Sequence, residues 1–229
     1  MNDKIKSLTI VIGAVILQTT IYYTGRQLGS RAYLLGNTLD LKIPYISWFV
    51  YFYISWYILI FLVPYMISRY DKEIFFKYIT TLVLSLFITL IAFIAFPTTM
   101  ERYVIATNTF NDQIIKAIYA KGSVLCCSPS LHILLTSLFM FPIFRNAAIP
   151  NLFKICTYIM SIGIILSTVL IKQHVLIDIP TSIVVNIICW TVVLKFKLQR
   201  YLKEIYYSHP GQGKARIDGS PPSAGASEA

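Results

Sequence analysis

The segments CCSPSLH (126–132) and STVLIKQHVLID (167–178), separated by two hydrophobic runs and a short basic turn, decide how this chain is read. His132 and His174 each stand at the polar entrance of a predicted membrane helix, and Asp178 follows the second histidine by four residues. That spacing predicts one shared helical face for His174 and Asp178. Two histidines and a carboxylate at one membrane face form a candidate active site.

Working outward, 56% of the 229 residues are hydrophobic and 13% are charged. The apolar runs are too long for helices of a soluble core. A spanning helix needs about 20 apolar residues. That template predicts an all-α polytopic membrane protein, a six-helix transmembrane bundle within 1–207, with spans at 7–23, 46–67, 75–96, 130–144, 152–170 and 175–196. The fourth span is short and carries Pro142, and Pro64 falls near the end of the second, where a kink is tolerated. Trp48, Trp56, Trp190 and many tyrosines lie near span ends and read as interfacial anchors. The first apolar run is followed by GRQLGSR and not by a small-residue cleavage site, so it is expected to remain as a span. Residues 208–229 are polar and rich in Gly, Pro, Ser and Ala. They read as a disordered, appended segment, and His209 within them gets no role.

A formal charge of +10 could indicate nucleic acid, but the basic residues sit at the ends of apolar segments and form no stripe interleaved with aromatics. They orient the bundle instead. With the N-terminus inside, 13 Lys and Arg fall on the inner segments and 7 on the outer ones. Both termini are therefore expected in the cytoplasm of a plasma membrane such as a bacterial inner membrane. Loops 24–45, 97–129 and 171–174 then face outward and bring His132, His174 and Arg102 to one extracytoplasmic side. Within the middle loop, Phe110, Ile114, Ile115 and Ile118 make an amphipathic stretch expected to lie on the membrane interface. Cys156 and Cys189 lie inside spans and Cys126 adjoins Cys127, which argues against a disulfide scaffold. The adjacent pair reads as exposed.

PSLH at 129–132, then Ser167, then His174 and Asp178 in the spacing HxxxD, resemble the type 2 phosphatidic acid phosphatase superfamily. Its patterns are KxxxxxxRP, PSGH and SRxxxxxHxxxD on a six-helix bundle. The PSLH and KQH pairing is also similar to inositol phosphorylceramide synthases. Arg102 in FPTTMER matches the first motif's arginine, but Ala95 holds the lysine position, Tyr103 replaces the proline and Thr168 replaces the arginine of the third motif. Lys172 is the expected substitute for the missing cations.

The residue types fit such chemistry. A phosphate ester carries a dianionic head, so Arg102 can offer a bidentate fork, Lys172 a point charge, and Ser130 and Thr168 hydroxyl donors. Neutral imidazole is a phosphorus nucleophile when its other nitrogen is held. His174 is therefore read as nucleophile, Asp178 as its orienter, and His132 as the acid for the leaving alkoxide and base for water. The resemblance implies the same roles. One carboxylate without an HxH pair or a second acidic cluster argues against a metal site, so neither metal nor cofactor is expected. The expected partners are the bilayer and a membrane lipid phosphate or polyprenyl (di)phosphate, with no nucleic acid. Two alternatives stand beside the lipid phosphatase reading: a lipid phosphotransferase, and a catalytically lapsed relative that binds or moves phospholipids.

Overall fold

The computed structural model describes residues 2–28, 32–144 and 146–207, so the predicted polar tail lies outside the described residues. The chain is mostly helical. Long helices are α1 (Asp3–Leu28), α3 (Val50–Tyr70), α4 (Lys72–Ala95), α7 (Asn151–Leu170) and α8 (Asp178–Phe196), all long and apolar enough to cross a membrane. Between them lie the shorter α2 (Thr38–Lys42), α5 (Phe110–Lys121) and α6 (Leu131–Ile143), and α9 (Gln199–Tyr207) closes the described chain. Two three-residue strands, β1 (Tyr33–Leu35) and β2 (Thr98–Met100), pair in parallel, Leu34 opposite Thr99.

Helix α6 has 13 residues, roughly 20 Å at about 1.5 Å per residue against a hydrocarbon core of about 30 Å. It touches α3, α4, α7 and α8, and Ile133, Leu134, Leu135, Leu138 and Phe139 are all buried. A helix that is apolar all round belongs in the middle of a bundle, and this one sits there. The outer helices reverse the soluble pattern. On α7, Leu152, Ile155, Ile159 and Ile162 point outward while Ser161, Ser167 and Thr168 are buried. Small and hydroxyl side chains inside with branched aliphatics outside suit a lipid surround. Gly163 of α7 lies so close to the Phe52 ring of α3 that an added Cβ would overlap it.

The connections fix the two ends. Asp71 alone joins α3 to α4; its extended backbone stops the first helix and its carboxylate caps the second through Ile74 N at 3.0 Å. At that same end Lys72 pairs with Asp3 at 2.9 Å, and Tyr206 of α9 hydrogen-bonds Asp3 as well. The opposite end gathers the start of α3, α6 and α8 and the end of α7. There Leu125 bridges to Thr99, and Cys126 N and Ser128 N bond the carbonyl and hydroxyl of Thr98 at 2.8 and 2.9 Å, so β2 anchors the chain entering α6.

Two sequence expectations change here. The last long helix starts at Asp178 and not at residue 175: Lys172 adopts φ +55°, and Thr168 O receives both Gln173 N and His174 N at 2.9 Å, which winds residues 171–177 into a turn. Helix α5 rests on the protein through Ile115, which packs into a cluster with Val50, Tyr53 and Ile171, while Phe110 stays exposed. Cys126 and Cys127 are buried, not exposed, and burial pushes their thiols up to about 11 and about 12; Cys156, within α7, is the exposed one.

Candidate active site

His174 sits in the turn before α8, held from both sides of its ring. Nδ1 lies 2.8 Å from Asp178 Oδ2, and Nε2 lies 3.1 Å from Ser130 Oγ. Asp178 is fully buried at the first position of α8, and Val175 N–H also reaches Oδ2 at 3.4 Å. A carboxylate beside Nδ1 accepts the ring proton there, which leaves the lone pair on Nε2 and makes the Ser130 hydroxyl the donor to it. The contact expected from helical i, i+4 geometry thus exists, but a turn makes it.

Ser130 is the N-cap of α6 and places His132 in the first turn. Ser182 Oγ–H donates to Ser130 O at 3.2 Å, which ties the start of α6 to α8. The His132 ring lies against three side chains of α3: Trp56 with centroids 4.1 Å apart, Tyr53 at 4.5 Å and Tyr57 edge-on at 6.3 Å. Its Nε2 is sealed from solvent without a hydrogen-bond partner. The His132 and His174 rings are 6.1 Å apart and tilted by 53°. Trp56 is therefore no interfacial anchor; it is 3% exposed and walls a histidine.

The four expected phosphate-binding residues are placed differently from one another. Ser130 touches His174, as described. Arg102 Nη1 and Nη2 donate to Gln173 Oε1 at 3.2 Å and Gly122 O at 3.3 Å, with the Tyr119 ring 4.4 Å from its guanidinium carbon. Lys172 Nζ donates to Asp40 O at 2.8 Å and Ile43 O at 2.6 Å, so it fastens the segment around α2 to the His174 turn. Burial lowers its ammonium from the usual lysine range, with Asp40 opposing. Thr168 turns its hydroxyl into its own helix, bonding Ile165 O at 2.7 Å, and contributes its carbonyl to the turn instead.

Arg102, Lys172 and His174 are among the residues that line a cleft of about 720 Å³. Leu34, Leu41 and Ile43 form an apolar part of its wall. Tyr45 completes that wall, stacking on Tyr103 at 5.1 Å and donating to Asp112 at 2.7 Å. The Tyr45 hydrogen bond, followed by those of Thr107 and Thr109, holds the Asp112 carboxyl below its ordinary range against the cost of burial. Among the described residues, no three His, Cys, Asp or Glu side chains converge as a metal-binding group.

Sequence reasoning missed Tyr53 and Trp56, although a signal existed. Val50, Tyr53, Trp56, Ile60, Val63 and Ile67 recur at three- and four-residue spacing and form the buried face of α3. Gln173 and Asp40 carried no such signal, since their roles come from turn geometry. Comparisons with family models, curated proteins and solved structures find no match for this chain.

Proposed function

We propose that the protein is an integral-membrane lipid phosphate phosphatase that works through a phosphohistidine. The observation that carries this reading is the clasp on His174: Asp178 at Nδ1 and Ser130 at Nε2, with a second histidine ring 6.1 Å away. In the attack, His174 Nε2 bonds to phosphorus as the ester P–O bond breaks. The proton stays on Nδ1, where the Asp178 carboxylate accepts its hydrogen bond and balances the positive charge arising on the ring. His132 in its imidazolium form gives a proton to the departing alkoxide, and the neutral ring then takes one from the water that hydrolyses the phosphohistidine. The Ser130 hydroxyl, which caps the Nε2 lone pair, turns to a phosphoryl oxygen when phosphorus replaces it. Arg102 on the cleft wall supplies positive charge to the same group.

Helix α6 counts as the sixth crossing in this reading, its length deficit met by burial among its neighbours and by the loops that cover its ends. The preponderance of Lys and Arg on the inner segments, with Asp3 and Tyr206 at the end opposite the cleft, supports an extracytoplasmic site. A cleft lining that holds both apolar and cationic residues suits a phosphate on a lipid or polyprenyl chain. The test is release of inorganic phosphate by purified protein from a panel of lipid phosphates, with a strong chelator present. Release that is lost in His174→Ala supports the phosphatase; no release from any member, or equal release by the variant, overturns it.

A further inference from the structure

The structure assigns Gln173 a part in oxyanion recognition: we infer that its carboxamide positions Arg102 without neutralising it and offers Nε2 to the same anion. This rests on the phosphate reading above. Gln173 is 7% exposed, between Lys172 and His174 in the turn. Its Oε1 accepts from Arg102 Nη1 at 3.2 Å, while its Nε2 is buried with no partner. The opposite assignment of the amide would set an NH2 against a guanidinium that has only donors, so the contact with Arg102 fixes which way it points.

Arg102 is thereby framed by neutral groups. Gly122 O takes Nη2 at 3.3 Å, Gln173 Oε1 takes Nη1, and the Tyr119 ring lies 4.4 Å from the guanidinium carbon. Among the described residues no carboxylate pairs with the guanidinium, so its full charge is available at the cleft that it lines with His174. A glutamate at 173 would orient the fork more firmly through an ion pair and would cancel the charge a phosphate needs. Two donors of the five are spent on the frame, and the remainder of the fork can meet an anion. A buried NH2 without an acceptor is costly to keep, and an oxyanion brought to Arg102 is an acceptor of the right kind beside it.

The experiment is equilibrium binding of orthophosphate to the full-length protein in detergent, with Gln173→Glu, Gln173→Asn, Arg102→Ala and the double variants. Gln173→Glu should weaken phosphate binding at least tenfold and Gln173→Asn about fivefold, at melting temperatures near that of the parent. In the Arg102→Ala background the losses should shrink to the part carried by Nε2 alone, at most about threefold, because the part that acts through the guanidinium is already gone. Binding by Gln173→Glu within twofold of the parent, or equal losses with and without Arg102, overturns the inference and leaves the phosphatase reading intact. A parent protein that binds no orthophosphate, yet releases it from lipid phosphates, overturns the inference alone; one that does neither overturns both.

Discussion

Exchanging Asp178 for asparagine keeps the shape of the side chain and removes its charge. The carboxylate is fully buried and lies 2.8 Å from His174 Nδ1. When Nε2 bonds to phosphorus the ring becomes a cation whose centre is about 4 Å from that of the carboxylate, a pairing of roughly 4 kcal/mol at an effective dielectric of about 20. At about 1.4 kcal/mol per tenfold in rate, its loss lowers kcat by roughly 10³. Asparagine can also turn its NH2 toward Nδ1, which moves the ring proton to Nε2 and removes the attacking lone pair. Folding should suffer far less, because Asp178 Oδ1 already lacks a partner and the substitution relieves a buried carboxylate. The assay is phosphate release at saturating lipid phosphate beside thermal unfolding of the same samples. A variant that keeps more than a tenth of the parent kcat, or that loses activity only because it has unfolded, would refute the reasoning.

Trp56→Leu opens the wall behind His132 and should cost about 3 kcal/mol of stability for a buried indole. It should slow lipid phosphates more than aryl phosphates, which need less help from an acid, whereas equal slowing of both would detach the indole from His132. Lys172→Met removes the donor shared by the Asp40 and Ile43 carbonyls. Amide hydrogen exchange over residues 36–45 should rise before the bundle loosens, and unchanged protection there would deny the latch. Cys126 and Cys127 have thiols raised to about 11 and about 12 by burial. Their contribution to stability is complete below about pH 9, the usual thiol range, and is lost as pH rises through those values. Replacing both by serine should flatten the alkaline end of the stability profile, and an unaltered profile would contradict their burial.

The hydrophobic runs revealed the helices well, because a span advertises itself through some 20 consecutive apolar residues and does not depend on its neighbours. The order PSLH, then HxxxD, likewise disclosed that His132, His174 and Asp178 gather at one end. What the sequence concealed was carried by backbone. Lys172 looked like a cation for the cleft because a lysine two residues before a histidine shows its charge; the carbonyls of Asp40 and Ile43 that hold it leave no mark on residue type. The helical face predicted for His174 and Asp178 gave way to a turn because Thr168 O captures two successive amides and Lys172 enters the left-handed region. Trp56 near a span end matched the pattern of an interfacial anchor, and only the position of α6 against α3 turns it toward His132.

The central claim is that His174 Nε2 forms the covalent bond to phosphorus. Rapid acid-free quenching of the enzyme with labelled lipid phosphate, followed by peptide mapping, tests it directly. The account predicts a base-stable, acid-labile phosphoryl group on His174 that persists longest in His132→Ala, where water is no longer activated. Label on another residue, or a His174→Ala protein that still turns over lipid phosphate near the parent rate, would contradict it.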